Sequence, residues 1–420
     1  MKKWMLSLLG CLLLAGPAPA ADWPQWQGPD RNNVSKETGL LKTWPKGGPK
    51  LLWTFAEAGM GYSAPAVVGD RLYTMGATGG KDYLFALDVK TGQKVWAAPL
   101  GPMFEQDRGD GPRGTPTVDG DHVYVITGQG TLLCLKTADG TKVWSKDFRK
   151  DLSGAMQNRW GYSESPLVDG DKLVCTPGGR LGTVAAFDKK TGAPVWRCEG
   201  LKDNAAYSSL VVANFGGTRQ YVLRTDASVA GVAAKDGKLL WRIARSGPVA
   251  AIPTPVVFTD HVYVTSGYGA GCALIHVTKD GDKFRADEVY ANRNMTNHHG
   301  GVVLVDGHVY GYSDGKGWVC QDVLKGNLVW QERSKLDKGS VTCADGQLYC
   351  YSEVDGTLVL VPATTAGWKE DGRLKLPRAS TLERPRSQRT KNVWTHPVVA
   401  NGRLYLRDQD LIFCFDVKAQ

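Results

Sequence analysis

The sequence predicts an all-β fold: an eight-bladed β-propeller of four-stranded antiparallel blades, its ring closed by an N-terminal strand that completes the last blade. Three observations predict it. A glycine–tryptophan unit recurs five times along the 420 residues. A second hairpin pattern recurs beside it, and together they repeat every roughly 40–50 residues, the period of a propeller blade. The two ends of the chain carry complementary parts of one further unit.

Composition agrees. Fifty-one glycines, 14 tryptophans and many short Val/Tyr/Leu alternations favour strands, and no long segment shows helical apolar spacing. The glycine–tryptophan unit reads ALDVKTGQKVW (86–96), CLKTADGTKVW (134–144), AFDKKTGAPVW (186–196), GVAAKDGKLLW (231–241) and CQDVLKGNLVW (320–330). Each is a strand, a turn whose glycine supplies positive φ, and a second strand with tryptophan at a fixed place. The second pattern appears in SAPAVVGDRLY (63–73), GTPTVDGDHVY (114–124), ESPLVDGDKLV (164–174), PTPVVFTDHVY (253–263), GGVVLVDGHVY (300–310), GSVTCADGQLY (339–349) and THPVVANGRLY (395–405). SSLVVANFGGTRQYV (208–222) is the same hairpin with a longer turn. The two patterns give strands A to D of eight units. Trp53, Trp96, Trp144, Trp196 and Trp241 stand 43, 48, 52 and 45 residues apart. With Trp330 they are expected to be buried where neighbouring blades dock.

The last unit ends at LIFCFDV (411–417) without a D strand, and KLLWTF (50–55) is a D-type strand with nothing before it. The first strand should therefore complete the last blade and cover an edge that would otherwise recruit other chains. Upstream, Lys2 and Lys3, an apolar run from Trp4 to Ala15 and Ala18-Pro19-Ala20 read as a signal peptide over 1–21. The run is shorter than the about 20 residues a membrane-spanning helix needs. Residues 22–49 are an N-terminal extension and 50–420 the propeller. The mature chain is expected to be exported to the periplasm or beyond, not transmembrane, and monomeric. Export permits disulfides, but the eight cysteines beyond the signal follow no framework spacing and several share a repeat slot. They read as small core residues. Cys343 and Cys350, flanking one hairpin turn, are the pair to watch.

In a propeller the D-to-A and B-to-C loops share one face around the central channel. The residues before the A strands form a ring there: Tyr62, Arg113, Glu164, Tyr207, Ile252, His299, Lys338 and His396. The B-to-C loops add Gln129, Asp226, Tyr268, Asp314, Glu353 and Asp408. Convergent polar and aromatic groups at a cavity are the default binding site. Alternation along an entering strand points His299 at the mouth and His298 away from it, and Gly300 and Gly301 keep the crowded strand start slim. Arg113 and Lys338 repel cations, so an anionic ligand is expected and no metal. No zinc-protease helix, P-loop, nucleophile elbow or haem-attachment motif occurs. SGYGAG (266–271) follows a strand but opens no helix, so it reads as a turn.

The pattern A-x-D-x-x-T-G-x-x-x-W, intact in 86–96 and close in 186–196, resembles the repeat of the pyrroloquinoline quinone (PQQ)-type propellers. DWPQWQGPDRNNVS at the start of the mature chain looks like the secreted BamB-like members. The resemblance covers about residues 50 to 417 and implies one of two roles. One is a non-catalytic binding or assembly scaffold of the cell envelope, with no cofactor. The alternative is a PQQ- and calcium-dependent quinoprotein dehydrogenase of alcohols or sugars. There Arg113 or Lys338 would meet the quinone carboxylates, and Glu164, Asp226 and Asp314 could supply oxygen ligands to calcium. Such dehydrogenases carry a disulfide between adjacent cysteines, and this chain has no adjacent pair.

The formal charge is +9, or +7 without Lys2 and Lys3. Between Lys369 and Lys391 stand eight Lys/Arg and three acids. This stretch reads as a long loop joining blades 7 and 8 that overhangs the ring. It suits an anionic partner, an envelope protein or an anionic polysaccharide. Nucleic acid is excluded by export.

Overall fold

The computed structural model describes residues 21–247, 249–383 and 392–419; the expected signal peptide falls outside them except for Ala21. Eight sheets form the ring. Blades 1 to 7 are continuous in sequence, over 66–102, 117–147, 167–197, 211–244, 256–292, 302–332 and 339–374. Blade 8 takes Val398–Ala400, Arg403–Asp408 and Leu411–Asp416 from the C-terminus and Lys50–Phe55 from the N-terminus. That strand runs antiparallel, with Lys50 opposite Asp416 and Phe55 opposite Ile412, so the ring closes as its ends predict. Among the described residues helix is confined to one turn, Phe148–Leu152, capped by the Asp147 carboxylate. Among the described residues no helix is long and apolar enough to cross a membrane.

The core lies between blades. Tyr73, Met75, Leu84 and Ala86 of blade 1 meet Val123, Val125, Leu133 and Leu135 of blade 2, and comparable clusters fill the other junctions. The repeat motif is explained at the same junctions. The glycine of one blade and the tryptophan of the preceding blade touch. A Cβ placed on Gly92, Gly140, Gly192 or Gly237 would lie 2.4–2.9 Å from the rings of Trp53, Trp96, Trp144 and Trp196, respectively. The same glycines have φ of +71° to +75°. Each indole is aimed by a bulge: the residue before it (Leu52, Val143, Val195) is skipped in the C–D pairing. The indole N–H of Trp53, Trp96, Trp144 and Trp330 then donates to the neighbouring blade at the carbonyls of Val89, Thr137, Lys189 and Thr364. Trp53 and Trp241 are buried. Contrary to expectation, Trp96, Trp144, Trp196 and Trp330 are only half-buried, because an outer-strand indole lies edge-on to solvent at the rim. Blade 5 has no tryptophan in this slot. Tyr290 covers Gly326 instead and donates to the Val323 carbonyl at 2.7 Å.

One further expectation needs correction, and one open question is answered. Gly372–Leu374, inside the stretch read as a connecting loop, is the D strand of blade 7. Part of the positive charge there is already neutralised: Lys369 pairs with Asp371 at 2.8 Å and Arg373 with Glu370 at 2.7 Å. Residues 384–391 of that stretch lie outside the described residues. Cys343 and Cys350 are buried free thiols, as are the other six beyond the signal. They are not opposite one another, since Cys343 pairs with Leu348 and Cys350 with Val341.

The N-terminal extension occupies the channel. Trp23 bridges Val67 in the A strand of blade 1. Pro24 accepts from Val118 of blade 2, and Arg31 donates to the Ser165 and Pro166 carbonyls of blade 3 at 2.6 and 3.0 Å. Val34–Ser35 pairs in parallel with the A strand of blade 7, making that sheet five-stranded. Ser35 and Glu37 bond to blade 8 at Val399, Asn401 and Gly402. Residues 22–37 thus act as a plug whose backbone and side chains satisfy inner-strand backbone groups around the ring.

Candidate functional site at the ring mouth

A cavity of about 810 Å³ opens where the A strands begin. Its base is formed by the plug residues Trp26 and Gln27, with His396. Trp26 donates to Thr254 at 3.0 Å and meets the His396 ring edge-on at 4.7 Å. The walls are aromatic: Tyr62, Trp160, Tyr207, Tyr268 and Trp394. Arg108 and Arg113 add cations.

Six of the eight predicted ring residues line this cavity: Tyr62, Arg113, Tyr207, Ile252, His299 and His396. Glu164 does not. Its carboxylate is buried and accepts from the N–H and hydroxyl of Thr176 at 2.7 and 2.8 Å, and burial pushes its pKa up to about 7. It faces the plug through Arg31, whose guanidinium burial pulls down to about 10. Lys338 also stands behind the wall rather than in it. Its ammonium donates to Asp314 at 2.7 Å and to His298 Nδ1 at 3.0 Å.

The histidine pair departs from the alternation rule. Both His298 and His299 line the cavity, their rings stacked at 4.4 Å. Alternation fails because 298–301 is a bend ahead of the strand, which begins at Val302. The glycines are required by close approach as well as by φ. A Cβ on Gly300 would lie 1.8 Å from the Gly339 carbonyl of blade 7, and Gly301 has φ +68°.

All three histidines are held neutral. Lys338 donates to His298 Nδ1, so His298 Nε2–H donates to the Tyr268 hydroxyl at 2.8 Å; burial, then the Lys338 charge, pulls its pKa down to about 4. His396 accepts from Asn33 of the plug at Nδ1, 3.1 Å, and donates from Nε2 to the His299 carbonyl at 3.1 Å. Burial pulls it down to about 4. His299 lies well below the usual imidazole range, through burial and then its neighbours His298, Lys338 and His396. Its Nε2 faces the Glu353 carboxyl at 3.2 Å without hydrogen-bond alignment, and burial pushes Glu353 up to about 7.

Arg113 is a buried cation of the wall. It donates to the Gly109 and Gly111 carbonyls at 2.5 and 2.7 Å and lies over the Phe104 and Tyr62 rings. Among the described residues it forms no ion pair. Burial lowers its pKa, and the nearby Tyr62, Asp110 and Asp82 offset that loss of water only in part. Such a group favours an incoming anion.

The donor set does not fit calcium-bound PQQ. Calcium takes about six to eight oxygen ligands. Among the described residues lining the cavity, Asp107 is the sole carboxylate. The acids expected to serve are engaged elsewhere: Glu164 with Thr176, Asp226 with Asn204, Asp314 with Lys338.

Sequence reasoning missed the plug residues and the wall residues Arg108, Trp160 and Trp394. One signal was available. Of the 14 tryptophans, six fill the docking slot, and the remainder include Trp26, Trp160 and Trp394, spent outside the repeat.

A family model described as outer membrane protein assembly factor BamB matches residues 80–332. The outer membrane protein assembly factor BamB of Burkholderia pseudomallei (strain K96243) is 28% identical over 201 residues, 46% of this chain and 48% of that protein. The chain therefore spans about half the length of the curated BamB relatives it matches. Lupanine 17-hydroxylase (cytochrome c) of a Pseudomonas species is 30% identical over 159 residues, 35% of this chain and 22% of that one. Among solved structures, the quinohemoprotein alcohol dehydrogenase from Comamonas testosteroni superimposes with a TM-score of 0.66 over 97% of this chain and 82% of that one, at 14% identity. At that identity the likeness is one of fold.

Proposed function

This chain belongs to the PQQ-repeat propeller family described as outer membrane protein assembly factor BamB, and from that premise we propose that it is an exported, non-catalytic binding scaffold of the cell envelope. The observation that carries the reading is the ring-mouth cavity. Its aromatic walls offer stacking surface, Arg113 offers a charge with no salt bridge among the described residues, and its histidines are held neutral chiefly by burial. That chemistry suits capture rather than turnover: aromatic and arginine anchors dominate binding energy at such sites. The partner is an extended envelope-protein segment bearing an acidic side chain, with the basic stretch 369–391 as a second contact.

A photo-crosslinking residue at Tyr268, which is exposed at the rim, tests this in the native cell. Adducts with outer-membrane assembly proteins are expected, and Arg113→Gln should reduce them about tenfold, the loss of a charge-assisted contact worth ~1.5 kcal/mol. An anionic polysaccharide as partner would give glycan adducts instead. Purification with PQQ and calcium checks the enzyme alternative. Stoichiometric quinone absorbance with dye-linked oxidation of an alcohol or sugar would replace the scaffold reading.

A further inference from the structure

On the face opposite the ring mouth, blade 5 carries an unusual pair in one cross-strand slot. Where the B strand starts, the cross-strand partner on strand C is an aspartate in four blades: Asp88 opposite Arg71, Asp188 opposite Lys172, Asp322 opposite His308 and Asp416 opposite Arg403. Asp88, Asp188 and Asp322 cap the C–D turn, accepting from backbone N–H groups two and three residues on. In blade 5 the slot holds His276, opposite His261. The reason the cap is dispensable there is length. Strand C continues to Asp280 and strand D resumes at Lys283, so the hairpin turns well beyond the slot. A position released from capping has gained an imidazole directly across from another.

Asp260, in the A–B turn, completes the group. One carboxylate oxygen lies 2.6 Å from His261 Nδ1 and the other 2.9 Å from His276 Nε2. The contact to His261 lacks hydrogen-bond alignment, leaving that nitrogen without a partner. The three ligand atoms lie within 4.8 Å of one another. Phe258, the strand-A neighbour of His261, backs the stack at 5.5 Å. On the other side Asp287, opposite His276, is held by Arg285.

We propose that Asp260, His261 and His276 form a surface site for a divalent transition metal of the zinc class, with water completing the coordination. Two imidazoles and a carboxylate are a donor set zinc accepts, at about 2.0–2.2 Å from each ligand atom. The imidazoles now stack at 4.7 Å and 17°. Binding turns the ring of His276, which is partly solvent-exposed, out of the stack so that both lone pairs meet at one point; the Nε2 proton passes through solvent to Nδ1, so the ring binds as a neutral imidazole. The site is separate from the ring mouth, so its success or failure leaves the scaffold reading untouched.

The test uses the mature chain without a histidine tag. Titration calorimetry with Zn²⁺ should give one metal per chain. His261→Arg keeps an Asp–Arg pair like Asp70–Arg71 in blade 1, and His276→Gln keeps side-chain volume. Each should weaken binding by more than the ~10–100-fold that loss of an outer-shell partner costs. On the wild-type chain, Zn²⁺ should protect His261 and His276 from diethyl pyrocarbonate. It should not protect His122 or His308, which start the B strands of their blades without a second histidine opposite. No saturable binding at millimolar Zn²⁺, or binding that survives both variants and disappears in His299→Gln, overturns the proposal.

Discussion

His396 is held as a neutral imidazole by burial and by the donor it meets at Nδ1. Asn33 Nδ2 must donate, because the same nitrogen also donates to the Val341 carbonyl, so the His396 nitrogen it meets must accept. Protonation would set two donors against each other in a buried site. Its pKa is about 4 in the fold, below the ordinary 6.5. Between those values the unfolded chain binds more protons than the native one, so this group's stabilisation is complete above about pH 6.5 and is lost as pH falls through 4. The wild-type advantage over His396→Gln in denaturant unfolding should therefore shrink by roughly 3 kcal/mol from pH 7 to pH 4. Glu353 has the opposite sign. Its folded pKa of about 7 exceeds the ordinary 4.5, so its contribution is complete below about 4.5 and is lost as pH rises through 7. Glu353→Gln should gain on wild type as pH rises through 4.5 to 7. Two variants whose stability differences move the same way with pH would mean that burial does not govern these groups.

At the scale of the blade, the junction of glycine and indole sets tolerance to change. Gly192 and Gly170 both have positive φ, at +71° and +63°, but only Gly192 faces a ring, that of Trp144 at 2.7 Å, while Gly170 faces open space. Gly170→Ala should cost about 1 kcal/mol for the left-handed backbone alone. Gly192→Ala should cost about 2–4 kcal/mol, since the indole cannot retreat without losing its bond to Lys189. Equal costs would show that the docking contact is soft. Burial grades the tryptophans likewise: Trp241→Ala should cost roughly 3–5 kcal/mol and the half-exposed Trp144→Ala about half as much. These elements were legible in the sequence because each copy solves the same steric problem, so one spacing recurs, and the hairpins that accompany it count the blades. Blade 5 was legible only by its hairpin, since Tyr290 replaces the indole at the same carbonyl. The ring mouth was half legible. Alignment on the A strands found Tyr62, Arg113, Tyr207, His299 and His396. It misplaced Glu164 and Lys338, whose side chains turn to partners in neighbouring elements, and it misjudged His298, where a bend removes the alternation. Asp260, His261 and His276 escaped notice because their convergence depends on cross-strand register.

At the scale of the whole ring, two N-terminal segments do different work, and deletion separates them. Lys50–Phe55 covers the edge of Leu411–Asp416 and closes the circle. Residues 22–37 fill the channel, where the carbonyls of Trp23, Pro24 and Asn33 accept from the amides of Val67, Val118 and Cys343 at 2.8–2.9 Å. The plug was invisible to repeat analysis because it has no period; each residue answers a different blade. An inner strand that loses it faces a channel wide enough for water, so its backbone groups are resolvated rather than orphaned. Deleting 22–37 from the mature chain should therefore leave a monomeric ring that melts at lower temperature. Amide exchange should quicken at Val67, Val118 and Cys343 and stay slow in Leu411–Asp416. Deleting 22–56 should instead bare the strand Leu411–Asp416 and drive aggregation, as an exposed edge does. Aggregation of the shorter deletion to the same extent would assign closure to the plug and leave the shared blade a secondary role.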